Sequence, residues 1–173
     1  MGLCDRLKSR RTPEITSSPG TIVVRDINFW PKCTDLGTWY AAFPWQGQDN
    51  VTWHHECSLG KGTYPVLPAG YVSGFIVPFD GVVTDLDLWV VPSSASSSTE
   101  LVLFRFPPSP GPVVEVASTV VSGGTLNVMN QLPPIPISNA YISKGDILLL
   151  CAREDVEPVS TPHFVGNLTI KQT

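Results

Sequence analysis

Val82-Val83-Thr84-Asp85-Leu86-Asp87-Leu88-Trp89-Val90-Val91 is the stretch on which the fold turns. Successive side chains of a strand point to opposite faces, so alternation sorts these residues into two sets. Val82, Thr84, Leu86, Leu88 and Val90 are expected on one face; Val83, Asp85, Asp87, Trp89 and Val91 on the other. The second set puts its acidic centre in water, as a half-buried strand does. Just upstream, Tyr71 to Phe79 reads as a strand ended at Pro78. Asp80-Gly81 then reads as a tight turn with positive φ at the glycine.

The same reading extends toward the C-terminus. Leu101 to Phe106, Val113 to Val121 and Thr125 to Met129 are expected strands, the last two divided by Gly123-Gly124. Leu132 to Pro136 must be extended, because proline leaves neither a helix nor a central strand. Lys144-Gly145-Asp146 turns the chain into Ile147 to Ala152, a run too apolar for one solvated face and so expected to be buried on both. Phe164 to Ile170 closes the domain. Toward the N-terminus, Thr21 to Ile27 is a first strand, and Phe29 to Trp53 is a long loop with one short strand. About eight strands at these spacings suit an antiparallel sandwich or barrel.

Composition agrees. The chain has 173 residues, 42% hydrophobic and 15% charged, which suits one globular domain rather than a disordered chain. Its 17 Pro and 14 Gly argue against helix. The net charge of −4 excludes a nucleic-acid binder that works through a broad basic surface. Four of the eleven basic residues nevertheless fall in the first eleven positions: Arg6, Lys8, Arg10 and Arg11. Residues 1–20 therefore read as a flexible basic arm, either solvated or docked on an acidic partner surface. No segment has the apolar length of a membrane span. The first residues lack the apolar core of a secretory signal, and Arg6 stands where a myristoylation site wants Ser or Thr.

Chemistry-bearing clusters are few. His54-His55-Glu56-Cys57 has metal-ligand residue types, but neighbours on a strand point to opposite faces, so they do not converge on a zinc ion. Cys4, Cys33, Cys57 and Cys151 show no CxxC spacing and are expected to be reduced, with a Cys33–Cys57 bridge as the alternative. Asp85 and Asp87 share a strand face without a calcium loop around them. There is no Gly-x-Ser-x-Gly elbow and no phosphate-binding glycine loop. The expectation is a non-enzyme with no cofactor and no metal. Four of the five tryptophans, Trp30, Trp39, Trp45 and Trp53, lie in the broken segment of residues 21–69. They either plug one end of the sandwich, contact a protein partner, or stack on sugar rings.

Two motifs carry a resemblance. Gly74-Phe75-Ile76-Val77-Pro78-Phe79-Asp80-Gly81, leading into the alternating strand, resembles the opening hairpin of jelly-roll domains in tailed-phage virion proteins. Ile142-Ser143-Lys144-Gly145-Asp146-Ile147 is similar to their I-x-x-G-D turn into a late buried strand, and Val165 to Ile170 to their closing strand. The likeness covers about residues 70–170, so 70–173 is expected to be a jelly-roll β-sandwich, with 21–69 packed on or extending it. It implies a jelly roll that assembles as a trimer on a virion, as a head decoration (cement) protein, a head fibre or a tail-fibre tip. The expectation is a homotrimeric capsid decoration protein on the virion surface, with the basic arm and the tryptophans holding the major capsid protein. Receptor or glycan binding by a head-fibre or tail-fibre module is the alternative. The trimer is expected to use apolar outward positions such as Val83, Trp89 and Val91.

Overall fold

The computed structural model describes residues 15–18, 20–29, 37–41, 58–66, 74–91, 98–108, 111–122, 125, 128–154 and 163–173. These form twelve strands: β1 (Ile15–Ser18), β2 (Thr21–Phe29), β3 (Thr38–Ala41), β4 (Ser58–Lys61), β5 (Phe75–Ile76), β6 (Gly81–Val91), β7 (Ser98–Phe106), β8 (Val114–Ser122), β9 (Asn130–Gln131), β10 (Tyr141–Ile142), β11 (Ile147–Glu154) and β12 (His163–Gln172). Among the described residues no helix is long and apolar enough to cross a membrane.

The strands make two antiparallel sheets packed as a sandwich. One runs β1-β2-β12-β6-β10, with β9 also on β6; the other runs β4-β3-β11-β7-β8, with β5 also on β11. One contiguous core fills the space between them, including Val24, Leu88, Phe164 and Leu168 from the first sheet and Leu103, Leu148 and Leu150 from the second. Non-local pairing dominates. β2 near the start lies beside β12 at the end, so the core closes only when the chain's extremes meet.

β11 answers to its composition. Leu148, Leu149, Leu150, Cys151 and Ala152 are all buried, as a run with no polar face requires. Leu148 and Leu150 share a face with Leu101 and Leu103 through register with β7, and this face meets the other sheet. Leu149 and Cys151 share the opposite, outer face with Phe104 and Val102 and are buried there too.

The alternation in β6 holds only in part. Leu86, Leu88 and Val90 are buried, and Asp85 and Asp87 are exposed, but Val83 is also buried, at 1%. The register with β12 slips between Thr169–Asp85 and Ile170–Val83, so that Thr84 is the extra residue of the pairing. This is a β-bulge, and the one extra residue reverses which face the preceding side chains take. Val83 therefore belongs to the core and is removed from any outward trimer surface; Trp89 and Val91 remain half-buried.

Three other expectations change. Gly81 is absent from the glycines with positive φ; it opens β6, where a Cβ would stand 2.6 Å from the Lys171 carbonyl oxygen. Glycine is needed there for close approach of two backbones. Ile15–Ser18, inside the expected arm, pairs with β2 from Ile15↔Val24 to Ser18↔Thr21. Of the strand expected at Thr125–Met129, the described residues Thr125, Val128 and Met129 lie outside any strand, and pairing resumes at β9. Within residues 21–69, β2 belongs to the first sheet and β3 and β4 to the second.

Candidate functional site

The two motifs that carry the resemblance lie against each other. The Asp80 carboxylate accepts a hydrogen bond from the Lys144 backbone N–H at 2.8 Å. Asp146, 3% exposed, accepts from the Ser143 N–H at 2.7 Å, closing the turn that Gly145 makes at a φ of +90°. Backbone bonds from Val77 N to Asp146 O and from Gly145 N to Val77 O, both 2.8 Å, lock this turn to the Pro78-Phe79-Asp80 segment. Arg105 braces it: a guanidinium nitrogen donates to the Tyr141 carbonyl at 2.6 Å, and Nε lies 3.8 Å from Asp146. These contacts set one end of the sandwich. They are architectural, since each carboxylate is engaged by a backbone N–H.

A concave surface lies elsewhere, on the outer face of the second sheet. A groove of about 440 Å³ is lined by Trp39, Tyr64, Glu100, Phe104, Glu115 and Arg153, among others. Register explains the assembly. Glu100 faces Arg153 across β7 and β11, and Phe104 faces Glu115 across β7 and β8. Arg153 Nε donates to Glu100 at 3.0 Å, and its Nη1 to the Gly62 carbonyl at 3.2 Å. Glu115 accepts from the Ser118 hydroxyl at 2.6 Å. Tyr64 stands half-exposed at the rim, edge to face with Phe104 at 6.1 Å.

Trp39 forms part of the floor. It is 1% exposed and meets Phe104 edge to face at 5.2 Å. Its indole N–H donates to the Gly62 carbonyl at 2.9 Å, and the Arg153 guanidinium lies 4.4 Å from the ring centroid. The ring is covered, so Trp39 offers no open stacking face. It covers the outer side of the second sheet and does not plug an end of the sandwich. Arg6, Lys8, Arg10, Arg11, Trp30, Trp45 and Trp53 lie outside the described residues, as do His54, His55, Glu56, Cys33 and Cys57. Sequence reading missed Tyr64, Glu100, Glu115 and Arg153. The period-2 pattern assigns Glu100 and Arg153 to faces, but only strand register brings them together.

Among the described residues, no three His, Cys, Asp or Glu side chains are grouped as a metal site. Cys151 is fully buried, and burial pushes its thiol pKa well up, leaving it unreactive. Glu154 is the unusual acid. It is 1% exposed on the inner side of β11, accepts a 3.3 Å bond from the Thr99 hydroxyl, and among the described residues has no partner at Oε2. Burial raises its pKa from 4.5 to about 7, and the Thr99 bond opposes the shift. The folded state thus holds this proton more tightly than the unfolded state. Stability is highest below the unfolded pKa and falls as pH rises through the folded value. The expected loss between pH 4 and pH 8 is about 3 kcal/mol from this group. Urea midpoints at the two pH values should show it, and Glu154→Gln should remove most of the slope. Equal slopes in both proteins would assign the pH dependence to other groups.

No protein-family model, no curated protein and no solved structure matches this chain.

Proposed function

We propose that this chain is a jelly-roll structural protein of a tailed-phage virion, a homotrimeric decoration (cement) protein bound to the major capsid protein. The nested order of strand pairing carries the reading. β2 pairs with β12, β3 with β11, β6 with β10 and β9, and β7 with β8. This is one long antiparallel hairpin of four successive pairs. Rolling it up joins β12 to β6 and β11 to β7, giving the two sheets of a jelly roll. The docking of the Pro-Phe-Asp-Gly segment on the Lys-Gly-Asp turn supports the same reading, because the two resembling motifs form one unit.

Jelly rolls serve both capsids and lectins, so the surface has to choose between them. Arg153 closes Trp39 against stacking, which favours attachment to a shell. Tyr64 beside Glu100 and Glu115 favours the second reading, a glycan-binding module, since an exposed ring with carboxylate acceptors suits sugar hydroxyls and a sugar face.

The test uses shells assembled from the cognate major capsid protein. The full chain should bind them, and removal of residues 1–11, with Arg6, Lys8, Arg10 and Arg11, should weaken binding while the fold survives. Added salt should mimic the truncation, because screening removes the same charge contacts. Binding that is unchanged by both treatments would overturn the role of the basic arm. Failure of the full chain to bind shells, with Tyr64-dependent binding on a glycan array, would replace this reading by the second.

A further inference from the structure

β8 lies at the end of its sheet, and among the described residues nothing pairs with half of its outer edge. The Ala117–Ile137 bridge and the bond from Ser138 N to the Val116 carbonyl (2.8 Å) cover the edge up to Ser118. The Val116 bond also fixes the parity: backbone groups of even-numbered residues point away from β7. Beyond the covered part, Ser118 C=O and both backbone groups of Val120 and Ser122 point outward, and no described residue pairs with them. Natural sheets defend such edges with charge, proline or a bulge. Ala117-Ser118-Thr119-Val120-Val121-Ser122 has neither charge nor proline, and the bulge of this strand pair lies at the other end, between Leu103 and Phe104. Val120 is 62% exposed on this edge.

We infer that the open edge of β8 is a seam between two copies of this chain, paired antiparallel about a two-fold axis at Val120. A partner of the same sequence fits because the register is self-complementary. Val120 faces its own copy, Ser118 faces Ser122 of the other, and all of these present outward backbone groups. About four hydrogen bonds form across the seam. Side chains meet as Val with Val, Ser with Ser, and Thr119 with Val121, so no like charges oppose one another. The length fits as well. A longer partner strand would meet Ile137, and β8 ends at Ser122, where the sequence continues with Gly123-Gly124. This seam is separate from the trimer of the proposed function; it joins trimers in pairs, or monomers in pairs.

Light scattering on the full chain and on Val120→Lys reads the two ideas separately. Lysine at an exposed position leaves the fold intact but places two charges face to face at the axis. A two-fold fall in mass with Val120→Lys supports the seam: six copies to three retains the trimer, and two to one removes it. An unchanged mass overturns the seam, whatever the copy number. Mild oxidation then tests the register. Val120→Cys should link two chains, because directly paired residues stand about 5.5 Å apart at Cα, within disulfide reach. Ser122→Cys should not exceed the wild-type background, whereas the double variant Ser118→Cys, Ser122→Cys should link. Equal cross-linking by Val120→Cys and Ser122→Cys overturns the two-fold register.

Discussion

Replacing Trp39 with Ala should cost about 3–5 kcal/mol of stability, the range for removing a fully buried large aromatic side chain. The indole fills the layer above Phe104, and its loss uncovers the outer side of a sheet whose Leu149 and Cys151 are themselves buried. Arg153 loses the ring beneath its guanidinium, which weakens its hold on Glu100. Trp39→Phe keeps an aromatic ring against Phe104 and gives up the 2.9 Å bond to Gly62, a loss of about 1 kcal/mol. Gly62 C=O would still accept from Arg153. Urea denaturation of the two variants checks both figures. A Trp39→Ala chain as stable as wild type would mean that the ring is a surface group, and the stacking role would return.

Gly166→Val should destabilise by about 3 kcal/mol or more, at the upper end of overpacking costs. Gly166 lies on the inner side of β12 beside Leu88 in β6. Even a single added Cβ would stand 2.3 Å from Leu88 Cδ2 and 2.9 Å from the Asp87 carbonyl oxygen. The leucine side chain can rotate, but it is 1% exposed in a filled core; the carbonyl belongs to the neighbouring strand and cannot move without breaking the ladder. Gly166→Ala paired with Leu88→Ala should recover part of the loss, because the second change makes room for the first. If Gly166→Val melts with wild type, the two strands are not in this register.

Residues 147–152 show how local composition determines burial. A run of Ile, Leu, Cys and Ala has no polar face to offer, so it is covered on both sides in any fold that keeps it as a strand. The alternation from Leu86 to Val91 likewise determined a half-buried strand, because the period of two is a property of the backbone. The same argument failed at Val83. A bulge at Thr84 is a response to the partner strand, and nothing in Val82-Val83-Thr84 announces where β12 will slip. Gly81 is a similar case: the dipeptide suggested a turn, whereas the need for glycine came from the Lys171 carbonyl, 90 residues away in sequence.

The groove is the clearest product of tertiary structure. Trp39, Gly62, Glu100, Glu115 and Arg153 come from four strands and a loop, and each reads as an ordinary position within its own segment. Glu100 meets Arg153 because β7 and β11 pair in one register of several that local pattern allows. Glu154 acquires its raised pKa in the same way, from the core that closes over it. Sequence by itself determined that this chain is all-β and antiparallel, a sandwich or a barrel, since periodicity, proline and turn chemistry act within a few residues; strand pairing made it a sandwich. Which side chains share a site depended on register between distant strands, which is chosen by packing of the whole core.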